Sequence, residues 1–279
     1  MEKNLQISKE VLKKIKLVCS DIDGTLVEEG KGNLNPEYYT QIRRLKEKGI
    51  RFAVASGRNY ESARPLFEPV LEDVLFINDN GAVIRFQDKV HRYHTVEPGL
   101  VQEIVKDMAA RPGCSTYVSA MEGNFAWKGD PHFCELLRRD YQLKVKEIDR
   151  MPEGIPSEAG VMSFGLYYPG DVLEAVGEAF MRKWNSHPKV EVMAAGEMWL
   201  NICQRGIHKG SALAEIMEEY GLKREEVLAF GDNMNDYGML SSIPNSVAVG
   251  NARKEIKDIS RYVADTNVND GVLQILRQL

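Results

Sequence analysis

The sequence predicts a doubly wound α/β fold, with a mostly parallel, Rossmann-like core sheet and an α+β section inserted into it. Near both ends of the 279-residue chain, short β-branched apolar runs alternate with helical segments, a rhythm typical of parallel sheets with right-handed crossovers. The middle of the chain, 85–201, instead has several strand-like runs separated by helices, as in α+β domains. We therefore expect a discontinuous core domain, 1–84 and 202–279, around an inserted domain.

The N-terminal part of the core is expected to begin with strands at 15–19 and 51–55, because both runs are short, apolar and followed by polar loops that contain glycine. A helix over 36–48 lies between them, predicted by apolar residues at helical spacing and by a glycine directly after its end. A helix from Tyr60 and a strand at 74–77 continue the alternation.

The C-terminal part of the core repeats the pattern, with a helix over 209–220 and then strands at 226–230, 246–249 and 261–264. A short final helix, 272–279, is expected to pack against this sheet. In the inserted section the sequence predicts strands at 91–96, 115–120, 164–168 and 191–193, and helices near 98–110, 131–140 and 171–184.

The composition argues against several classes of protein, including nucleic-acid-binding, secreted and membrane-spanning proteins. There are 36 Lys and Arg against 41 Asp and Glu, a net charge of −5, so no overall positive field exists to hold a nucleic acid. The charged N-terminal residues do not resemble a secretory signal, and no apolar run is long enough for a membrane span. The four cysteines lack a CxxC pair, which argues against a zinc cluster or disulfide framework. We expect a cytoplasmic protein that binds neither nucleic acid nor membrane.

Polar residues follow four of the predicted core strands: Asp21 and Asp23, then 56–58, then 78–80, then 232–236. In an open parallel sheet, ligands bind outside the carboxyl ends of the strands. Residues more than 200 positions apart are therefore expected to converge on one crevice.

This crevice has the parts that phosphoryl transfer requires. Several carboxylates stay ionised together only beside a cation, and oxygen ligands without His or Cys favour Mg²⁺. Lys209 adds a positive charge and Ser56 a hydroxyl donor, while Gly24 and Gly57 let backbone amides approach an anion closely. Phosphoryl transfer needs little beyond this positioning and charge neutralisation.

Asp21 and Asp23 suggest a division of labour. Two residues apart on an extended segment, their side chains point the same way. One carboxylate could attack phosphorus to give an aspartyl-phosphate, while the other protonates the leaving group and later deprotonates water.

The segments Asp21-Ile22-Asp23-Gly24-Thr25, Ser56, Lys209 and Gly231-Asp232-Asn233-Met234-Asn235-Asp236, in this order, resemble the four motifs of the haloacid dehalogenase superfamily of phosphatases. The large insert resembles the C2-type cap of its Cof-type, sugar-phosphatase-like members, which the ASGR, NGA, HKG and GDNMND words also fit. The resemblance covers nearly all of the chain from about residue 15.

The resemblance implies that Asp21 is the nucleophile and Asp23 the general acid/base. It further implies a Mg²⁺ ion held by the Asp21 carboxylate, the Asp23 main-chain carbonyl and the Asp232 carboxylate. An Asp two places after the nucleophile points to transfer or hydrolysis of phosphate esters, because ion-pumping ATPases carry Thr there and phosphonate-cleaving members carry Ala.

The remaining motif residues receive binding roles through the same resemblance. Ser56 and Lys209 would bind the phosphoryl group, and Asn235 would face the phosphate or the substrate. Gly57 is predicted to bind phosphate only because glycine lets backbone amides approach an anion closely. Asp236 would support Lys209 or a metal-bound water.

Three further features are open to more than one interpretation. Arg58 either approaches substrate or forms a structural salt bridge, and Asn80 either contacts a ligand or occupies a tight turn, so neither is assigned a catalytic role. In the insert, aromatic side chains either line a specificity pocket or belong to the core: Trp127, Tyr167, Tyr168 and Trp199.

The function predicted from these residues is a magnesium-dependent phosphatase that hydrolyses a small phosphorylated metabolite, such as a sugar phosphate or a phosphorylated cofactor. A phosphomutase or phosphotransferase would use the same aspartyl-phosphate and pass it to another alcohol. A receiver-like domain that accepts phosphate on Asp21 without turnover is a third hypothesis, which Asp23 and the large insert oppose.

Overall fold

The computed structural model describes residues 7–28, 33–141, 143–151, 153–156, 158–194 and 197–279. The chain forms two compact units, Met1–Arg92 with His208–Leu279, and Tyr93–Ile207. We call them the core unit and the inserted unit. The assignment of the inserted unit as a C2-type cap stays a prediction.

The secondary structure of the described residues follows in chain order. The strands are β1 (Leu17–Ser20), β2 (Arg51–Ala55), β3 (Val74–Asn78), β4 (Val83–Phe86), β5 (Lys89–Tyr93), β6 (Ser115–Ala120), β7 (Gly123–Trp127), β8 (Val145–Ile148), β9 (Val161–Tyr167), β10 (Val190–Ala194), β11 (Trp199–Gln204), β12 (Val227–Gly231), β13 (Asn245–Ala248) and β14 (Tyr262–Val263). The α-helices are α1 (Lys9–Leu12), α2 (Glu37–Glu47), α3 (Tyr60–Ala63), α4 (Pro98–Ala109), α5 (Pro131–Arg139), α6 (Val172–Asn185), α7 (Lys209–Glu219), α8 (Tyr237–Ser242), α9 (Lys254–Ile259) and α10 (Gly271–Leu276).

The core unit is built on one sheet, in the order β14-β13-β12-β1-β2-β3-β4-β5. The strands from β14 to β3 pair in parallel, and β4 is antiparallel to β3. Strands β1, β3 and β12 are buried along their whole length, as expected of a parallel sheet with helices on both faces. The predicted doubly wound, mostly parallel α/β core is confirmed.

One predicted strand lies elsewhere in the fold. The run 91–96 was expected to be a strand of the inserted section, but the strand is β5, which lies at the edge of the core sheet. Most of its residues are exposed, so it lacks the apolar pattern that marks a buried core strand. The tight β4–β5 connection forms a hairpin that belongs to the core unit as far as Arg92.

The inserted unit has its own sheet, in the order β10-β11-β9-β6-β7-β8, with antiparallel pairing except between β7 and β8. Helices α4 and α6 share the main apolar cluster of this sheet. Helix α5 contributes Phe133 to a second cluster, where its ring lies 5.6 Å from that of Tyr167 and 6.0 Å from that of Trp199. These aromatics pack against one another, whereas Trp127 is 49% exposed.

Within the part of the chain that the structure describes, we find no helix with the length and apolar character that a membrane span requires. The cytoplasmic location stays a prediction.

Candidate active site

Asp21 and Asp232 lie close together because the two neighbouring parallel strands that precede them end side by side. Asp21 directly follows β1 and Asp232 directly follows β12, and Ser20 is in register with Phe230 in this strand pair. The Asp21 amide donates to the Phe230 carbonyl oxygen at 3.0 Å, which extends the parallel pairing by one residue. Both carboxylates therefore lie at the carboxyl edge of the sheet, as the sequence predicts.

Lys209, the first residue of α7, joins two of the carboxylates. Its Nζ donates to Asp21 Oδ1 at 2.6 Å and to Asp236 Oδ1 at 2.7 Å, with the side chains of Lys209 and Asp236 fully buried. Burial lowers the pKa of Lys209, but the two carboxylates outweigh it and leave that pKa above its ordinary value. Lys209 is therefore a fixed cation beside Asp21.

Both carboxylate oxygens of Asp236 accept hydrogen bonds. While Oδ1 accepts from Lys209, Oδ2 accepts from the backbone amides of Asp232 at 3.0 Å and Asn233 at 3.1 Å. A Cβ at Gly231 would lie 2.6 Å from Asp236 Cγ, so only glycine leaves room for this contact. Both oxygens of Asp236 are thus committed to fixing Lys209 and the 232–233 backbone.

Asp232 faces the loop that follows β1. Thr25 Oγ1 donates to Asp232 Oδ1 at 3.1 Å, and a Cβ at Gly24 would lie 2.4 Å from Asp232 Oδ2. Gly24 has a φ of +81°, which also favours glycine. Burial, and then repulsion by Asp236, raise the pKa of Asp232 to about 7. Burial likewise raises the pKa of Asp21 well above its ordinary value, although Lys209 opposes this.

The acidic cluster fits a magnesium ion. Ligand oxygens of Asp21, Asp232 and Asp236 all lie within 4.8 Å of one another, and an all-oxygen donor set is typical of Mg²⁺ sites. The raised pKa values of Asp21 and Asp232 reflect buried negative charge that a divalent cation would stabilise. Because Asp236 is committed elsewhere, Asp21 and Asp232 are the carboxylates best placed to hold the metal.

Asp23 lies outside this carboxylate cluster and pairs with Arg58. Arg58 Nε donates to Asp23 Oδ2 at 2.8 Å and Nη2 donates to Oδ1 at 2.6 Å. The side chain of Asp23 is 29% exposed, whereas that of Asp21 is 6% exposed. Asp23 is therefore the more accessible of the two aspartates that follow β1. Because both of its carboxylate oxygens accept from Arg58, its main-chain carbonyl is the group that remains for the predicted metal contact.

The predicted phosphate-binding residues Ser56 and Gly57 directly follow β2 and contact the loop after β3. Ser56 is buried, its hydroxyl oxygen accepts from the Arg58 amide at 3.1 Å, and its carbonyl accepts from the Asn80 amide at 3.0 Å. Asn235 Nδ2 donates to Asn80 Oδ1 at 3.1 Å, and a Cβ at Gly57 would lie 3.3 Å from the Asn80 amide group. Asn80 thus joins the Ser56-Gly57 turn to Asn235.

Sequence reasoning left three residues of this network without a role: Thr25, Arg58 and Asn80. Arg58 and Asn80 do belong to the ASGR and NGA words, which mark them as candidates. Asn80 also has a φ of +55°, a conformation that Asn adopts more readily than most residues. No local pattern in the sequence indicates their partners, because Asp23 is 35 residues from Arg58 and Asn235 is 155 from Asn80.

The chain is similar to known proteins over nearly its whole length. The model of a family described as haloacid dehalogenase-like hydrolase matches residues 18–276. Two 5-amino-6-(5-phospho-D-ribitylamino)uracil phosphatases are similar over 94% of this chain and 95% of their own length, one from Bacillus subtilis at 25% identity and one from Escherichia coli at 24%. A crystal structure from Eubacterium rectale superposes with a TM-score of 0.85 at 31% identity, covering 95% of this chain and 98% of its own.

The relatives from Bacillus subtilis and Escherichia coli carry the names of phosphatases, and phosphatases of this family generally use Mg²⁺. The expected reaction class, hydrolysis of phosphoric monoesters, is confirmed, whereas the roles of individual residues stay predictions. The family model spans most of the described chain, including the ends of β1 and β12 and the start of α7. The chain therefore belongs to the haloacid dehalogenase-like hydrolases.

Proposed function

We propose that this protein is a magnesium-dependent phosphatase that hydrolyses a small phosphorylated metabolite, a sugar phosphate or a phosphorylated cofactor, through a phosphorylated Asp21. The observation that carries the proposal is the buried Asp21–Lys209–Asp236 arrangement at the carboxyl edge of the sheet. This arrangement supports Asp21 as the nucleophile, because a carboxylate lies beside a fixed cation and the transfer of a phosphate dianion needs both. Two relatives named for a phosphorylated metabolite support the substrate class.

In the first step, an Asp21 carboxylate oxygen attacks phosphorus and the bond from phosphorus to the ester oxygen breaks. Asp23, in its acid form, gives its proton to the leaving oxygen, so the alcohol departs neutral and Asp23 becomes a carboxylate. The accessible position of Asp23 suits this exchange with a bound ester.

In the second step, the Asp23 carboxylate takes a proton from water as the water oxygen attacks phosphorus. The bond between phosphorus and Asp21 breaks, which releases inorganic phosphate and restores the Asp21 carboxylate and the Asp23 acid. One residue thus serves as acid and then as base, and no proton is gained or lost by the enzyme over the cycle.

The other residues hold the phosphoryl group and its charge. The Lys209 ammonium and the Ser56 hydroxyl would donate to phosphate oxygens, with Gly57 allowing close approach of the backbone and Asn235 facing the ligand. Bound at Asp21, Asp232 and the Asp23 carbonyl, Mg²⁺ would neutralise negative charge that develops on the phosphoryl oxygens. Asp236 would keep Lys209 oriented.

Hydrolysis of 4-nitrophenyl phosphate, measured with Mg²⁺ and with excess EDTA, tests the proposal. We expect turnover with the metal and none without it. A panel of phosphorylated metabolites, including 5-amino-6-(5-phospho-D-ribitylamino)uracil, would then identify the substrate. Release of free phosphate supports a phosphatase, whereas an isomerised sugar phosphate without net phosphate release would identify a mutase and contradict the proposal.

A further inference from the structure

We infer that Arg58 is a positioning residue for proton exchange: its two-point ion pair with Asp23 holds the acid/base carboxyl group in the orientation that serves the leaving-group oxygen. The inference rests on the proposed function, and it assigns a role to a residue that the motifs leave open. Arg58 acts through Asp23 and is not itself required to touch the substrate.

The geometry of the pair fixes a direction as well as a charge. Both Asp23 oxygens are engaged by different nitrogens of one planar guanidinium, at 2.8 Å and 2.6 Å. Two parallel hydrogen bonds define the plane of a carboxyl group, which a single point charge such as a lysine ammonium cannot do. When Asp23 carries a proton, its second oxygen can still accept one of the two bonds.

The backbone of Arg58 is anchored at both of its polar groups. Its amide donates to Ser56 Oγ at 3.1 Å, and its carbonyl oxygen accepts from the Asp79 amide and from Asn78 Nδ2, each at 3.1 Å. These contacts tie Arg58 to the ends of β2 and β3. Asp23 is therefore oriented by a rigid support on the adjacent strands and not only by its own loop.

The position of the pair suits proton exchange better than structural stabilisation alone. The side chains of Arg58 and Asp23 are 17% and 29% exposed, whereas Lys209 and Asp236 are fully buried. A leaving group can therefore reach Asp23. Because the guanidinium already engages both Asp23 oxygens, direct phosphate binding by Arg58 would compete with the pair that the structure contains.

The test compares two substrates that differ in their need for a proton. Phenyl phosphate releases a basic oxygen that requires a general acid, whereas 2,4-dinitrophenyl phosphate releases a stable anion that does not. For Arg58→Ala, we expect kcat/KM to fall roughly 10–100-fold with phenyl phosphate and to change less than about threefold with the dinitrophenyl ester, since only the first uses general acid catalysis. Asp23→Asn should show the same preference more strongly.

The ratio of the two kcat/KM values is measured on a single preparation, so it does not depend on how much of the variant is folded. Arg58→Lys keeps the charge without the two-point geometry. Like Arg58→Ala, it should therefore lose more kcat/KM with phenyl phosphate than with the dinitrophenyl ester. Arg277→Ala is the matched control, because Arg277 makes an equivalent two-point pair with Glu37 in the core unit, at 2.7 Å on both sides. We expect Arg277→Ala to leave the ratio unchanged.

Equal losses of Arg58→Ala on both esters, or no loss on either, would overturn the inference, and so would full recovery in Arg58→Lys. Absence of wild-type activity on both esters would instead refute the proposed function and the inference with it. If the wild-type enzyme is active, a loss confined to phenyl phosphate in Asp23→Asn but absent in Arg58→Ala would overturn the role of Arg58 alone.

Discussion

The two units of the molecule treat buried polar groups differently. At the carboxyl edge of its sheet, the core unit buries ionisable groups in contact with each other, Asp21, Lys209 and Asp236. Among the described residues of the inserted unit, the buried polar side chains are neutral: Thr116, Ser119 and Asn124. Burying charge is expensive unless it is paired. The core unit therefore retains costly charge at the proposed active site, whereas the described buried polar side chains of the inserted unit carry no charge.

The largest expected effect separates activity from stability at Asp21. Asp21→Asn should lower kcat/KM for 4-nitrophenyl phosphate by at least roughly 10³-fold, the scale for loss of a nucleophile. It should not lower the free energy of unfolding, because burial already raises the pKa of this carboxyl and an amide costs less to bury. Steady-state kinetics and urea unfolding measure the two quantities.

The control for Asp21→Asn is the same substitution away from the site, Asp258→Asn, which alters an exposed ion-pair partner of Lys254 in the same unit. It should affect neither quantity. Activity retained by Asp21→Asn in a preparation free of wild-type enzyme would contradict the assignment of Asp21.

The next largest effect concerns the stability of the buried charges. Lys209→Met leaves Asp21 and Asp236 buried without their cation, which should lower the free energy of unfolding by about 3–5 kcal/mol. Lys46→Met removes an exposed pair with Asp73 in the same unit and should cost no more than about 1 kcal/mol. Comparable losses in the two variants, measured by urea unfolding without added metal, would contradict this account of the cluster.

Metal binding should stabilise the folded core unit. With Mg²⁺ at a hundredfold excess over its dissociation constant, the gain is about 2.7 kcal/mol, and it should appear as a concentration-dependent rise in Tm. Asp232→Asn removes a carboxylate ligand oxygen from the cluster and should reduce that rise. An equal magnesium-dependent shift in wild type and Asp232→Asn would remove Asp232 from the metal site.

The smallest expected effect tests the inserted unit. Asn124 accepts from the Tyr117 hydroxyl at 2.7 Å and donates to the Lys144 carbonyl at 3.2 Å. Asn124→Ala should cost about 1–3 kcal/mol in stability, the scale for buried hydrogen-bonding groups left unpaired. Its kcat/KM for 4-nitrophenyl phosphate should stay at the wild-type value, the reverse of Asp21→Asn. A large loss of activity in folded Asn124→Ala would break the distinction between the units.

The core of the fold was predictable because its signals are local. Asp21 and Asp232 each follow a short, mostly apolar strand that is buried along its whole length, and parallel strands carry such residues to one edge of a sheet. The confirmed, mostly parallel core sheet has this arrangement, and it brings Asp21, Lys209 and Asp236 together.

What the sequence did not reveal depends on contacts between distant residues. The pairing of Arg58 with Asp23 depends on the contact between the loops after β1 and β2. The hydrogen bond between Asn80 and Asn235 forms only when α7 and β12 have packed into the core unit. Strand β8, Val145–Ile148, was missed because none of its residues is fully buried, so it lacks a clear apolar period.

Phosphorylation of Asp21 tests the central claim most directly. In Asp23→Asn, 2,4-dinitrophenyl phosphate can still transfer its phosphoryl group without an acid, but water then lacks its general base. Acid quenching with Mg²⁺ present, followed by peptide mass spectrometry, should therefore find one phosphoryl group on Asp21 in Asp23→Asn and none when Asp21→Asn is added. A phosphoryl group on another residue, or dinitrophenol release with no trapped phosphoprotein, would contradict the account.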